Sequence, residues 1–128
     1  MLNGAPITAF IPSRDLERAR AFYVEALGLK FVSQDPFALV LTANGATVRI
    51  AKVGEFQPAA FTILGFQVAS IREELALLRS RGILFERYPG MEQDEMGIWQ
   101  APSGAQVAWF KDADGNVLSL TEFPASNQ

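Results

Sequence analysis

The strongest constraint in this sequence is an order of structural signals that occurs twice. In each half, an apolar run precedes a polar residue able to cap a helix, and an amphipathic stretch, a glycine and further short apolar runs follow. Asp15 and Ser70 hold the capping position in the two halves, 55 residues apart. A repeated order at a fixed spacing is typical of duplicated supersecondary units. The sequence therefore predicts two copies of a βαβββ unit.

The first half contains one predicted helix and four predicted strands. Asp15 can cap a helix whose apolar residues recur with the 3.6-residue period, and Gly28 is placed to end it. The dipeptide Asn44-Gly45 is the strongest short signal for a hairpin turn. Apolar and alternating runs predict strands at residues 7–11, ending at Pro12, and at residues 29–33, 37–43 and 47–53.

The second half repeats this order from residue 61 onward. A capping box of Ser70 and Glu73 opens a helix with an apolar face, and Gly82 ends it. Strands are predicted at residues 61–68, 83–87, 105–111 and 117–123, with a further short strand near residues 97–101. Residues 112–116 lack the glycine position and the flanking helices of an EF-hand calcium loop, so we interpret them as a hairpin turn.

We expect one α+β domain over residues 1–128, with a first module at residues 1–58 and a second at residues 59–124. Units of about 40–60 residues rarely bury enough surface to stand alone, so the modules must share structure. Residues 57–60 are too few for a flexible linker. Helices on one face of curved antiparallel sheets would leave the other faces to line a common cavity, where a small molecule would bind.

The absence of histidine and cysteine restricts the chemistry of the chain. It excludes a thiol nucleophile, a histidine base, a disulfide framework and the usual zinc sites. The formal net charge of −3 disfavours nucleic acid as a partner. The apolar runs are too short to span a membrane and no secretory signal is visible, so we expect a cytoplasmic protein without a membrane partner.

Two stretches of the sequence are similar to a known superfamily. DLERARAFY at residues 15–23, followed by LGL at residues 27–29, resembles the opening of vicinal oxygen chelate modules. FKDADGNVL at residues 110–118 resembles the closing signature, with Ala113 where proline is usual. The superfamily includes glyoxalase I, extradiol dioxygenases, fosfomycin-resistance enzymes and bleomycin-resistance proteins. The resemblance implies paired βαβββ modules that enclose a cavity, and a homodimer.

The resemblance also implies where a metal would bind. Metal-dependent members use His or Glu on the first strand of each module and Glu on the last strand. The matching positions here hold Thr8, Ile63 and Ser119, and a further position used by some members falls near Arg49 or Ile50. These side chains do not replace imidazoles and a carboxylate as ligands. We therefore expect that the metal site is lost and that no cofactor is bound.

Several residues are candidates for binding a ligand, each with an ordinary structural alternative. Trp99 and Trp109 belong either to the core or to a surface that stacks on an aromatic or cationic ligand. Arg49 points either to solvent or to an acidic group of the ligand. Residues 90–97 form either a solvated loop or a lid. The full set of candidate ligand-binding residues comprises Thr8, Arg49, Ile63, Tyr88, Trp99, Trp109 and Ser119.

The leading hypothesis is a metal-independent protein that binds or sequesters an apolar or cationic small molecule in the cavity between the modules. The alternative is a lyase, isomerase or dioxygenase-like enzyme with an atypical oxygen-ligand metal or carboxylate and tyrosine acid–base chemistry. A cluster of Glu122, Glu95 or Asp94 with Tyr88 would favour that alternative. A third possibility is a structural or partner-binding domain.

Overall fold

The computed structural model describes residues 1–125. It contains two compact units, a first unit at Met1–Gln57 and a second unit that begins at Pro58. Each unit combines a four-stranded sheet with helical segments, which confirms the predicted α+β fold. None of the helices within residues 1–125 is long and apolar enough to cross a membrane.

The first unit holds strands β1 to β4 and helix α1, after a short 3-10 turn at Leu2–Gly4. The strands are β1 (Thr8–Ser13), β2 (Lys30–Gln34), β3 (Ala38–Ala43) and β4 (Ala46–Lys52), and α1 is Leu16–Arg20. Their order in the sheet is β1-β4-β3-β2, with β1 parallel to β4 and the other pairs antiparallel. Helix α1 contacts β3 and β4, and the face beneath it buries Leu39, Leu41 and Ile50.

The predicted first helix is correct at its start and wrong in its second half. The Asp15 carboxylate accepts hydrogen bonds from the backbone N–H groups of Glu17 and Arg18, at 3.0 and 3.2 Å, which confirms the cap. Beyond Arg20 the chain continues as a π-helix over Ala21–Ala26. The wider turn still buries Tyr23, so it preserves the apolar face that the periodicity predicted.

Two further predictions about the first unit have opposite outcomes. The Asn44-Gly45 hairpin is confirmed, because both residues have positive φ, +47° and +83°, as a type I′ turn requires. The prediction that Pro12 ends the first strand is wrong, since β1 runs on to Ser13. Strand β1 lies at the edge of the sheet, where the missing N–H of a proline is tolerated.

The second unit holds helix α2 and strands β5 to β8. The elements are β5 (Thr62–Gln67), α2 (Ile71–Ser80), β6 (Trp99–Gln100), β7 (Gln106–Lys111) and β8 (Val117–Glu122). The sheet order is β5-β8-β7-β6, with β5 parallel to β8. Ser70 accepts a hydrogen bond from the N–H of Glu73 at 3.3 Å, which confirms the predicted cap. Helix α2 contacts β7 and β8 and buries Ile71, Leu75 and Leu78.

The predicted strand at residues 83–87 is wrong, and its place in the sheet explains why. Only Phe85 forms a bridge, to Phe110 of β7, and the N–H of Glu86 donates to the carbonyl of Trp109 at 2.8 Å. The chain then leaves the sheet and returns at β6, where Trp99 pairs with Val107. The edge strand is therefore interrupted between residues 86 and 99. The short strand predicted near residues 97–101 is confirmed as β6.

Candidate ligand-binding site

One face of the second sheet is free of the helix. Neighbouring residues of a strand point to opposite faces, and Phe110 and Leu118 are fully buried on the side that α2 covers. Trp109 and Ser119, which are paired across β7 and β8, therefore lie on the other face. Gly65 of β5 pairs with Ser119 on its far side. This helix-free face holds most of the predicted ligand-binding residues of the second half.

Three predicted aromatic residues come together on this face. The rings of Trp99 and Trp109 have centroids 6.1 Å apart at an interplanar angle of 37°. The ring of Tyr88 contacts Trp109 edge-on, at 5.6 Å and 80°. The indole N–H of Trp109 donates to the hydroxyl of Thr62 at 3.1 Å, which fixes the orientation of that ring. All three rings remain partly exposed, so they form a surface on which a planar group can stack.

The interruption of the edge strand builds a cleft beside these rings. We call residues 87–98, which leave the sheet and return to it, the insert. Together with the start of β6 the insert borders an open cleft of about 570 Å³. The volume suits a drug-sized molecule, although the cleft is open to solvent. The residues that line the cleft are Tyr88, Pro89, Gly90, Met91, Glu92, Trp99 and Gln100.

Gln93 closes the base of the insert. Its side-chain amide donates to the carbonyl groups of Glu86 and Gly97, at 3.0 and 2.9 Å, and its amide oxygen accepts from the N–H of Tyr88 at 2.8 Å. One side chain therefore ties together both ends of the insert. The role of Gln93 could not be predicted from the sequence, because an isolated glutamine in a polar loop carries no signal of its tertiary partners.

Asp94 holds the insert against helix α2. Its carboxylate accepts from the N–H groups of Met96 and Ile98 and pairs with Arg72 of α2 at 2.7 Å. Partial burial opposes the charge, but these hydrogen bonds and Arg72 together lower the pKa of Asp94 below its usual value. Asp94 therefore holds the insert, and the tip of the insert at residues 89–92 is closed by a backbone hydrogen bond from the N–H of Met91 to the carbonyl of Tyr88 at 3.2 Å.

Tyr88 lies where the insert leaves the edge of the sheet. Burial raises the pKa of its phenol, and the nearby carboxylate of Glu86 raises it further. Within residues 1–125, the hydroxyl of Tyr88 forms no hydrogen bond. The phenol therefore stays protonated at neutral pH and has a donor to offer to a bound molecule.

Ser119 is packed tightly against the neighbouring strand. Its exposed fraction is 6%, and a Cβ atom built on Gly65 would lie 3.0 Å from its hydroxyl oxygen. Glycine at position 65 therefore leaves the space that the Ser119 side chain occupies. Within the described part of the chain the hydroxyl forms no hydrogen bond.

The other predicted residues lie apart from the aromatic cluster in the chain. Ile63 is half-buried at the irregularity in the pairing of β5 with β8. Thr8 and Arg49 belong to the first sheet, where Thr8 is exposed and Arg49 pairs with Phe10 and Val40. Because Val48 and Ile50 are buried on the helix side, Arg49 lies on the helix-free face of that sheet.

Two of the three carboxylates that would favour acid–base catalysis are engaged elsewhere, and the third, Glu95, is exposed. Glu122 accepts a hydrogen bond from the N–H of Ile71 at 2.9 Å, at the start of α2. Asp94 is bound by the insert and by Arg72, and its pKa is lowered, opposite to the shift that a general acid needs.

The donor set does not fit the metal site that the resemblance implies. Thr8, Ile63 and Ser119 offer two neutral hydroxyl groups and one hydrocarbon side chain, whereas the metal ions in question require carboxylate or imidazole. Among residues 1–125, no group of three acidic side chains is close enough to hold an ion.

Comparison with known proteins agrees with this fold. The family model of the Glyoxalase/Bleomycin resistance protein/Dioxygenase superfamily matches residues 6–120, and the chain belongs to that superfamily. Comparison of the sequence with curated proteins gives no match.

Solved structures with the same fold include proteins of different activity. Lactoylglutathione lyase from Agrobacterium tumefaciens superposes with a TM-score of 0.73 at 17% identity, over 93% of each chain. TnmS3, an antibiotic binding protein from a Streptomyces species, gives 0.71 at 24% identity, over 97% of this chain and 99% of its own. The bleomycin resistance determinant encoded on transposon Tn5 gives 0.71 at 24%, over 91% of this chain and 96% of its own. At these identities the likeness concerns the fold.

Proposed function

We propose that the protein binds, and by binding sequesters, a small molecule with a planar aromatic group that is neutral or cationic. The observation that carries the proposal is the cleft of about 570 Å³ beside the rings of Tyr88, Trp99 and Trp109. The exposed faces of these rings attract both planar and cationic groups. Glu92 supplies a negative charge at the lining, which supports a preference for a neutral or cationic group over an acidic group within this cleft.

Two further observations support binding rather than turnover. Asp94 and Glu122 are engaged in hydrogen bonds that hold the loop and the helix, so neither is available as a catalytic acid or base. Antibiotic binding is also what TnmS3, one of the similar structures, does. The fold therefore serves in other proteins for binding.

The direct test is a fluorescence titration with N-phenyl-1-naphthylamine, a neutral planar probe. We expect saturable binding, and we expect Trp99→Leu to weaken it by about tenfold, the scale of one lost aromatic contact. Phe37→Leu is the matched control, because Phe37 is exposed in the first unit and lies outside the cleft. Absence of saturable binding, or equal effects of the two substitutions, would contradict the proposal.

Metal independence is the second part of the proposal, supported by the donor set at residues 8, 63 and 119. The test is metal analysis of protein purified without an affinity tag, followed by thermal-shift titration with Mg²⁺, Mn²⁺, Fe²⁺, Ni²⁺ and Zn²⁺. An ion at a hundredfold excess over its dissociation constant would stabilise the fold by about 2.7 kcal/mol. We expect no saturable shift, and stoichiometric metal would overturn this part.

We also propose that the chain forms a homodimer. The first unit exposes large apolar side chains, including Ile7, Phe10 and Phe37 at 76%, 67% and 75%. Subunits that associate commonly bury surfaces of this kind. Sedimentation velocity should give the mass of two chains, and a monomer at all accessible concentrations would contradict the proposal.

A further inference from the structure

A second, smaller cleft also has Tyr88 in its lining. It measures about 370 Å³, and its lining consists of Pro58, Ala59, Ala60, Tyr88, Lys111, Gly115 and Val117. Tyr88 is the residue that it shares with the aromatic cleft. Most of the lining is apolar, so the polar groups of Tyr88 and Lys111 are prominent within it.

The apolar wall of this cleft is fixed by close packing. Gly115 lies in the last hairpin turn, which is closed by a hydrogen bond from the N–H of Asp112 to the carbonyl of Asn116 at 2.9 Å. A Cβ atom on Gly115 would lie 3.3 Å from Cγ of Pro58, so the proline packs directly on the glycine. This packing joins the start of the second unit to its last turn, so both parts of the wall are held in place.

The polar end of the cleft offers two hydrogen-bond donors. Nζ of Lys111 forms a salt bridge with a carboxylate oxygen of Glu86 at 3.7 Å, a separation longer than a hydrogen bond. Its ammonium N–H groups therefore remain available to a ligand. Burial and Glu86 raise the pKa of Tyr88, so its phenol also donates at neutral pH. Two donors beside an apolar surface suit an oxygen acceptor carried on an apolar group.

We propose that this second cleft binds the acidic or carbonyl oxygen end of the same ligand whose aromatic end stacks in the first cleft. The ligand would then extend across Tyr88 from one cleft to the other. Its aromatic ring would lie beside Trp99, and its oxygen would accept hydrogen bonds from Lys111 and from the Tyr88 hydroxyl. This inference rests on the proposed function and narrows the ligand class to aromatic molecules with an anionic or carbonyl oxygen at one end.

A pair of probes with one ring system separates this inference from the proposed function. 8-Anilinonaphthalene-1-sulfonate carries a sulfonate on the skeleton of N-phenyl-1-naphthylamine. Lys111→Met should weaken the sulfonate probe by about fivefold, the upper range for a partly exposed charge pair, and leave the neutral probe within twofold. Lys111→Arg is the control, because it keeps the positive charge and should retain the sulfonate probe.

Tyr88→Phe gives an independent variant in case Lys111→Met does not fold. It removes the hydroxyl and keeps the ring that lines the aromatic cleft, so it should weaken the sulfonate probe about threefold more than it weakens the neutral probe. Equal effects on both probes, or no effect of either variant on the sulfonate probe, would overturn the inference. Failure of the neutral probe to bind, or insensitivity of its binding to Trp99→Leu, would instead overturn the proposed function.

Discussion

The two sheets place different side chains at equivalent positions of their helix-free faces. In the first sheet, Phe10, Arg49 and Val40 are paired in one row across β1, β4 and β3. In the second sheet, the row across β5, β8 and β7 contains Gly65, Ser119 and Trp109. Phe10 and Gly65 both lie five residues before the capping residue of their helix. The first row has an aromatic side chain, Phe10, on its edge strand β1. The second row has glycine at the equivalent edge position and its aromatic side chain, Trp109, on β7.

The edge strands next to β3 and β7 differ in a related way. Strand β2 runs without interruption over Lys30–Gln34 apart from one irregularity in pairing. In the second sheet the corresponding edge is occupied by Phe85 and then by β6, with the insert between them. A duplicated unit can therefore keep its helix and core while one edge strand is opened to build a cleft.

The largest expected effect on stability is at Phe110, with Phe10 of the first sheet as its exposed counterpart. Phe110 is fully buried and Phe10 is 67% exposed. Phe110→Ala should lower the free energy of unfolding by about 3–5 kcal/mol, because it removes a buried ring and leaves a cavity. Phe10→Ala should change it by less than about 0.5 kcal/mol. Urea unfolding of the single chain, at concentrations below those at which it dimerises, measures both changes, and similar losses would show that Phe10 is buried within the chain.

The interrupted edge strand can be tested at Gln93. Gln93→Leu removes three hydrogen bonds at the base of the insert, so we expect a loss of about 1–3 kcal/mol in unfolding free energy and faster amide exchange in residues 87–98. Gln34→Leu in β2 is the control. Its side chain bonds to Glu17 and Arg20 near the surface, at 3.0 and 3.3 Å, and should cost less than about 1 kcal/mol. A larger loss for Gln34→Leu would contradict the role of Gln93.

The second sheet has Gly65 where the first has Phe10, and this difference predicts an energetic coupling between residues 65 and 119. Gly65→Ala should destabilise the protein by about 1 kcal/mol, because the new methyl group would lie 3.0 Å from the Ser119 hydroxyl. In a Ser119→Ala background that oxygen is absent, so the same substitution should be neutral or stabilising. A double-mutant cycle by urea unfolding measures the coupling, and additive effects would show that the two residues do not restrict each other.

The smallest expected effect distinguishes two aspartates that hold loops in the two units. The N–H groups of Phe37 and Ala38 lower the pKa of Asp35, with a lesser contribution from Arg49. Asp94 has a lowered pKa in spite of partial burial, through Ile98, Met96 and Arg72. Both carboxylates therefore stabilise the fold above the usual value of about 3.9, and this contribution is lost as the pH falls through the lowered pKa.

An NMR titration of the carboxyl carbons measures both pKa values directly. Because Asp94 pairs with Arg72, we expect high salt to raise its pKa more than that of Asp35, which depends first on backbone hydrogen bonds. Asp94→Asn should make the stability less sensitive to acid below pH 4. A pKa of Asp94 at or above the usual value would contradict the hydrogen-bonding scheme.

Much of the fold could be predicted from local signals. Asp15, Ser70 and Asn44-Gly45 act within a few residues of themselves, so their caps and turn follow from the sequence alone. The prediction of a strand at residues 83–87 was wrong although the segment is apolar. The segment shares the edge of β7 with β6, so only Phe85 pairs there. Pattern alone gives the tendency of a segment to be extended and not which edge it occupies.

The candidate site shows the same division. The sequence identified Tyr88, Trp99 and Trp109 as candidates from their chemistry, without deciding between core and surface. Their grouping depends on strand register and on the path of the insert, and Gln93 fixes that path through partners several residues away on both sides. The sequence by itself determined the duplicated α+β plan and the caps, because those rest on local contacts. The clefts were decided only in the tertiary structure, because the pairing of β6 with β7 and the path of the insert set which side chains come together.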